Sequence, residues 1–84
     1  MKKPRLTVER HKELGAKLAA WVNDSQQLFV ELNNAYPHKS RPATFARETY
    51  RAVTCLRAVM DDSMAVEHPA EFDTHIYYPP EKKG

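Results

Sequence analysis

The residues best suited to chemistry are the histidines and acids between positions 67 and 75. His68 and His75 lie near Glu67, Glu71 and Asp73, and imidazole together with carboxylate is a common ligand set for zinc and other divalent metals. Helices that bind metals place ligands three or four residues apart on one face, as in H-E-x-x-H, and that motif does not occur here. We therefore expect no metal and no other cofactor, and interpret these histidines as solvated or helix-capping groups.

The remaining reactive side chains form no recognisable catalytic set. Cys55 has no histidine close to it in sequence, so we expect a small hydrophobic role near the core. Asp61 and Asp62 are adjacent and point about 100° apart on a helix, while Arg57 is placed to pair with Asp61. His11 is expected at the solvated outer end of the first helix. Because a glycine-rich phosphate loop is also absent, the sequence predicts a protein that is not an enzyme.

The charge pattern offers one further binding hypothesis. Thirteen Lys and Arg oppose eleven Asp and Glu, which leaves a formal charge of +2, far from the concentrated positive field of a dedicated nucleic-acid binder. Arg47 and Arg51 lie one helical turn apart and could contact phosphates. Interleaved acids favour an ordinary solvated face, so nucleic-acid binding is the alternative rather than the leading hypothesis.

Prolines and capping residues divide the 84-residue chain, which we expect to be one domain, residues 1–84. Thr7 is a good N-cap for a helix over residues 8–35, which ends before Pro37. Ser40 can cap a second helix over residues 42–67, because Pro42 is tolerated in a first turn. A connection of about six residues allows only antiparallel neighbours, so the sequence predicts a long all-α helical hairpin.

The apolar spacing predicts how the two helices meet. In each helix one row of residues recurs at alternating steps of four and three, which is a heptad seam. Polar members of these rows, Ser25, Thr49 and Ser63, either set the register or bond back to the preceding turn. The predicted seam comprises Leu14, Leu18, Trp21, Ser25, Leu28, Leu32 and Ala35 in the first helix, and Phe45, Thr49, Ala52, Leu56, Val59, Ser63 and Val66 in the second.

A second apolar row beside each seam widens the stripe beyond what one facing helix covers. It contains Val22, Phe29 and Tyr36 in the first helix, with Val53 and Met60 in the second. Either the C-terminal segment folds back over this surface, or two hairpins pack as a homodimeric four-helix bundle, which we favour for a chain this small. We predict that the interface, within the core or between subunits, is formed by Trp21, Val22, Leu28, Phe29, Leu32, Val53 and Met60.

The last fifteen residues, 70–84, form a tail with an aromatic strip. Phe72, Thr74, Ile76 and Tyr78 alternate with polar residues, a period of two that predicts an extended segment. Phe72, Ile76, Tyr77 and Tyr78 either pack on the helices or bind a partner, and residues 79–84 are expected to form a frayed polar end.

These observations together favour a non-catalytic interaction, scaffolding or regulatory module. We expect a homodimer that has a protein partner, with a small nucleic-acid-associated factor and a weak metal-binding or enzymatic role as the alternatives. No run of about 18 apolar residues is present, so we expect a soluble cytoplasmic protein without membrane contact.

Overall fold

The computed structural model describes residues 5–80, which form two long α-helices and one short 3-10 helix. Helix α1 spans Val8–Ala35, helix α2 spans Arg41–Glu67, and the 3-10 helix spans Thr74–Ile76. Residues 5–80 contain no strand. The two long helices pack against each other as a hairpin, which confirms the predicted all-α hairpin. Part of the predicted polar end, residues 81–84, lies outside the described residues.

Both long helices begin at the capping residues that the sequence indicates. The Thr7 hydroxyl accepts a hydrogen bond from the Arg10 amide at 3.0 Å, and Ser40 accepts one from Ala43 at 3.4 Å. Each bond satisfies an amide that the first helical turn leaves without a backbone partner. α1 ends at Ala35 because Pro37 keeps the preceding Tyr36 in an extended conformation.

In α2 the inner face follows a row next to the predicted one, so the predicted α2 seam is wrong, whereas Leu18, Ser25 and Leu32 of the predicted α1 seam do lie on the inner face. In α2 the predicted seam residues Phe45, Leu56, Val59 and Val66 are exposed. The buried and half-buried positions along the inner faces are His11, Gly15, Leu18, Val22, Ser25, Phe29 and Leu32 in α1, and Ala43, Ala46, Tyr50, Val53, Arg57, Met60 and Met64 in α2.

Small residues explain why this row faces inward. Ala43 and Ala46 are buried near the start of α2, so the two helix backbones can approach closely there, whereas the buried Gly15 of α1 lies against the backbone of Ile76 in the tail. Larger side chains then fill the rest of the seam, and the rings of Phe29 and Tyr50 stack with centroids 6.1 Å apart. Two neighbouring rows with the same heptad spacing give the same apolar periodicity, so spacing alone does not distinguish them.

The hydroxyl groups in the predicted seam bond back to their own helices. Ser25 donates to the Val22 carbonyl, Thr49 to Phe45 and Ser63 to Val59, at 2.8–3.1 Å. These local bonds are one of the two arrangements that the sequence predicts, and they satisfy each hydroxyl without a partner helix.

The tail folds back over one face of the hairpin and is not an extended strip, which corrects the prediction. A turn at Pro69 to Glu71 and the 3-10 helix reverse its direction. Tyr77 becomes fully buried and joins Leu18 and Met64 in the central hydrophobic cluster, against which Phe72 and Ile76 also pack. Alternation missed this outcome because a 3-10 helix rotates side chains by about 120° per residue rather than 180°.

Many large apolar side chains of residues 5–80 are exposed to solvent. Among residues 5–80 the buried hydrophobic residues are Leu18, Val22, Ala43, Ala46, Met64 and Tyr77, whereas nine large hydrophobic residues are exposed. Neither described helix is long and apolar enough to cross a membrane. The hairpin therefore combines a small core with a large exposed apolar surface.

Candidate functional site

His11 is the centre of a polar network at the open end of the hairpin. It is fully buried, which overturns the expectation of a solvated position, because the returning tail covers it. Its Nδ1 atom is 2.7 Å from the Tyr77 hydroxyl, and its Nε2 atom is 3.0 Å from Glu67 Oε1. One imidazole thus connects the first turns of α1, the end of α2 and the tail.

His68, the C-cap of α2, extends this network to the segment before α1. Its Nε2 atom lies 2.6 Å from the Leu6 carbonyl oxygen, and Arg5 donates to the Glu67 carbonyl at 3.3 Å. The rings of His11 and His68 are edge to face, with centroids 5.7 Å apart. The segment before α1 is therefore held against the C-terminal end of α2.

Three of these residues have the arrangement of metal ligands. One ring nitrogen of His11, one carboxylate oxygen of Glu67 and one ring nitrogen of His68 all lie within 4.8 Å of one another. Two members, Glu67 and His68, belong to the sequence-predicted cluster, and His11 lies 56 positions before Glu67. By contrast, His75 Nδ1 lies 3.6 Å from Asp73 Oδ1 at an exposed position.

Burial changes the acidity of two groups beside this network. Desolvation raises the pKa of the Tyr77 hydroxyl, and the negative charges of Glu67 and Asp61 raise it further. Desolvation also raises the pKa of the Asp61 carboxyl, with a smaller contribution from neighbouring Asp62. A buried hydroxyl that stays protonated can serve both as donor and as acceptor toward His11.

Arg57 holds the tail and does not pair with Asp61 as the sequence suggested. Its guanidinium carbon lies 4.3 Å from the centre of the Tyr78 ring, a cation–π geometry. Within residues 5–80, neither Arg57 Nε nor the buried Asp61 Oδ1 has a hydrogen-bond partner. Tyr78 remains 37% exposed, so a partner could reach it without displacing the tail.

The second feature is a solvent-facing apolar surface, formed by Trp21, Leu28, Phe45, Leu56 and Val59 and called here the apolar face. These side chains are 44–59% exposed. With about 100° between successive residues, Trp21 and Leu28 lie on one flank of the α1 seam and the other three lie on one flank of the α2 seam. In an antiparallel pair these flanks belong to the same side of the hairpin. The tail covers the opposite side.

The predicted interface residues divide between the seam and the apolar face. Val22 is buried, and Phe29, Leu32, Val53 and Met60 are half-buried between the helices, while Trp21 and Leu28 are exposed.

Two other predicted features have different surroundings from those expected. Cys55 is exposed rather than packed as a small hydrophobe, because the helix seam follows the neighbouring row. Arg51 is exposed and Arg47 is half-buried, and the Nη1 atom of Arg47 is inaccessible. The pair therefore offers less free guanidinium surface than its spacing suggests.

No family model, curated protein or solved structure matches this chain.

Sequence reasoning missed the connection between His11 and Tyr77, which are 66 positions apart. One signal was present: His11 precedes Gly15 by four residues and Leu18 by seven, which places it on the same helix face. A histidine in the buried row of a helix, together with a tyrosine in a tail that can fold back over that row, is a pattern that indicates a buried hydrogen-bonded pair.

Proposed function

We propose that this protein is a non-catalytic helical interaction module that self-associates through its apolar face. The observation that carries the proposal is that Trp21, Leu28, Phe45 and Leu56 share one uncovered side of the hairpin while the tail covers the other. Contiguous exposed apolar surface of this kind is typical of protein–protein interaction sites.

The spacing on this surface favours a second copy of the chain as its occupant. Phe45, Leu56 and Val59 belong to a row with alternating steps of four and three, the spacing that packs knobs into holes between helices. The positions between them carry Thr49 and Ala52, which are small enough to leave holes for a partner's side chains. A small net charge of +2 adds little repulsion between two copies.

The side of the hairpin that carries the apolar face is also long enough to pack against a second copy. Helices of 28 and 27 residues are about 40 Å long, and two side by side are about 20 Å wide. Their product, about 800 Å², is the projected area of one whole side of the hairpin and is similar to what one partner contributes to an interface of standard size. A second hairpin would also supply apolar burial that a chain of 84 residues has difficulty providing by itself.

The test is the mass of the full chain in solution, measured by light scattering after size exclusion at several concentrations. We expect the mass of two 9.7 kDa chains, and a Leu56→Lys variant should dimerise about 30-fold more weakly or worse, since a charge replaces an apolar interface group. The matched control is Val30→Lys, because Val30 is similarly exposed but lies on the opposite flank of α1. A monomer at every concentration, or equal weakening by both variants, would refute the proposal.

The alternative function, nucleic-acid binding through Arg47 and Arg51, has weaker support because only Arg51 is freely exposed. It predicts affinity for duplex DNA or RNA that falls steeply with added salt. A fluorescence anisotropy titration at low salt, with wild type and Arg51→Gln, separates this function from self-association.

A further inference from the structure

We propose that His11, Glu67 and His68 form a binding site for one divalent metal ion of the Zn²⁺ type. Their candidate ligand atoms lie within 4.8 Å of one another, and two imidazole nitrogens with one carboxylate oxygen are a donor set that zinc accepts. The site is at the open end of the hairpin. It is independent of the apolar face and goes beyond the function proposed above.

The distances are already close to those that a tetrahedral ion requires. With metal–ligand bonds of about 2.0–2.1 Å, neighbouring ligand atoms are about 3.3 Å apart and the centroids of two bound imidazoles about 5 Å apart. His11 Nε2 and Glu67 Oε1 are separated by 3.0 Å, and the centroids of the His11 and His68 rings by 5.7 Å. The largest separation within the cluster, up to 4.8 Å, exceeds the tetrahedral value by about 1.5 Å.

In the proposed site, hydrogen bonds to Leu6 and Tyr77 hold one nitrogen of each imidazole and leave the other nitrogen available to the ion. The Leu6 carbonyl can only accept, so His68 Nε2 carries the proton of the 2.6 Å bond and Nδ1 keeps a lone pair for the metal. His11 Nδ1 faces the Tyr77 hydroxyl at 2.7 Å, which leaves Nε2 directed at Glu67. Metal-binding histidines usually donate their second ring N–H to an oxygen in this way.

Metal binding would change the tautomer of His11. In the proposed metal-free arrangement the Glu67 carboxylate accepts the Nε2–H of His11, and Nδ1 accepts from the Tyr77 hydroxyl. When the ion binds Nε2, the imidazole proton is carried by Nδ1 instead, and the Tyr77 oxygen accepts a hydrogen bond from this Nδ1–H. Three protein ligands leave the fourth tetrahedral position for water.

The test is a titration of the full, untagged chain with Co²⁺ followed by visible absorbance, and with Zn²⁺ followed by calorimetry. We expect one ion per chain and a higher melting temperature with metal, because the ion binds the folded state preferentially. Glu67→Gln and His68→Gln should each weaken binding by more than about 10-fold, since even loss of an outer partner costs that much.

Both substitutions are chosen to preserve the hydrogen bonds of the fold. In Glu67→Gln the new side-chain amide oxygen can still accept from His11, and in His68→Gln the new amide nitrogen can still donate to the Leu6 carbonyl. His75→Gln is the matched control, because His75 is an exposed histidine outside the cluster, and it should leave affinity unchanged.

Nitrogen-15 NMR of the histidine rings gives a readout that needs no substitution. Zn²⁺ should convert His11 from the Nε2–H to the Nδ1–H tautomer while His75 remains unaffected. The absence of saturable Co²⁺ and Zn²⁺ binding, a loss of affinity in His75→Gln equal to that in the cluster variants, or an unchanged His11 tautomer at saturating Zn²⁺ would each overturn the proposal.

Discussion

Gly15 of α1 lies directly beneath the backbone carbonyl of Ile76 in the tail. A Cβ atom at position 15 would overlap that carbonyl oxygen and lie 2.8 Å from its carbon and 3.0 Å from Ile76 Cγ2. Ile76 belongs to the 3-10 helix that leads into Tyr77, so this close approach places Tyr77 in the core. Glycine is therefore required here for packing, although it lowers the intrinsic stability of a helix.

Replacement of Gly15 by alanine should destabilise the protein, opposite to the effect that helix propensity predicts. Overlap with a backbone carbonyl costs about 1–3 kcal/mol and exceeds the gain of about 1 kcal/mol from propensity. A lower melting temperature in a calorimetric scan, together with faster amide hydrogen exchange around Tyr77, is the expected result.

The control for this prediction is Ala16→Gly at the adjacent exposed position. It should be destabilising by about 1 kcal/mol through propensity alone and leave the exchange of the tail unchanged. A rise in melting temperature for Gly15→Ala would contradict the packing of the tail on α1.

A matched pair of valines tests which row of α1 is buried. Val22 is 8% exposed and Val30 is 52% exposed, so Val22→Ala removes buried methyl groups and Val30→Ala does not. We expect a loss of about 1.5 kcal/mol or more in the free energy of unfolding for Val22→Ala, and less than about 0.5 kcal/mol for Val30→Ala. Chemical denaturation measures both, and equal effects would mean that the helices meet along a different row.

The hydrogen bond between Tyr77 and His11 should be measurable by removing one hydroxyl. Tyr77→Phe keeps the buried ring but leaves His11 Nδ1 without its partner, which costs about 1–3 kcal/mol. Tyr78→Phe is the control, since it keeps the ring stacked on Arg57 and should change the free energy of unfolding by less than about 0.5 kcal/mol. If both variants unfold at the same denaturant concentration, the Tyr77 hydroxyl does not contribute to the free energy of unfolding, which would contradict the prediction.

Asp61 should reduce stability at neutral pH. Burial and Asp62 raise the pKa of its carboxyl above the ordinary value of 3.8, so the folded chain binds this proton more tightly than the unfolded chain. The free energy of unfolding should therefore increase as the pH falls through the raised pKa of the folded chain to the ordinary value of 3.8, which applies to the unfolded chain. Below that value both states hold the proton, so this group has no further effect.

An Asp61→Asn variant removes the charge and tests the predicted direction of this pH dependence. Its melting temperature should exceed that of wild type at pH 7, and the difference should shrink as the pH falls to about 3.8. Asp62→Asn is the control, with a smaller effect because Asp62 is exposed. A lower melting temperature for Asp61→Asn at pH 7 would show that the carboxylate has a stabilising partner.

Much of the secondary structure could be predicted from local chemistry. Thr7 and Ser40 cap the helices because their side-chain oxygens satisfy nearby amides, and Pro37 ends α1 because the residue before proline avoids the helical conformation. These interactions extend over only a few residues. The helix bounds were accordingly predicted to within one residue.

The helix faces could be predicted only in part. Heptad spacing indicated a hairpin, but two adjacent rows share that spacing, and the choice between them depends on how small residues such as Ala43 and Ala46 fit against the opposite helix. Phe45, which was predicted to lie in the seam, is exposed, and Met60, which was predicted to lie in the second row, is half-buried in the seam. Leu56 became part of the apolar face for the same reason.

The candidate metal site shows most clearly what local sequence determined and what only tertiary structure decided. The sequence by itself determined two helices, their ends, and the adjacent pair of Glu67 and His68 at the end of α2. Only the tertiary structure brought His11 within 3.0 Å of Glu67 and buried it beneath Tyr77. That placement depends on hairpin closure and on the fit of the tail over Gly15, and contacts between distant segments follow from packing rather than from local spacing.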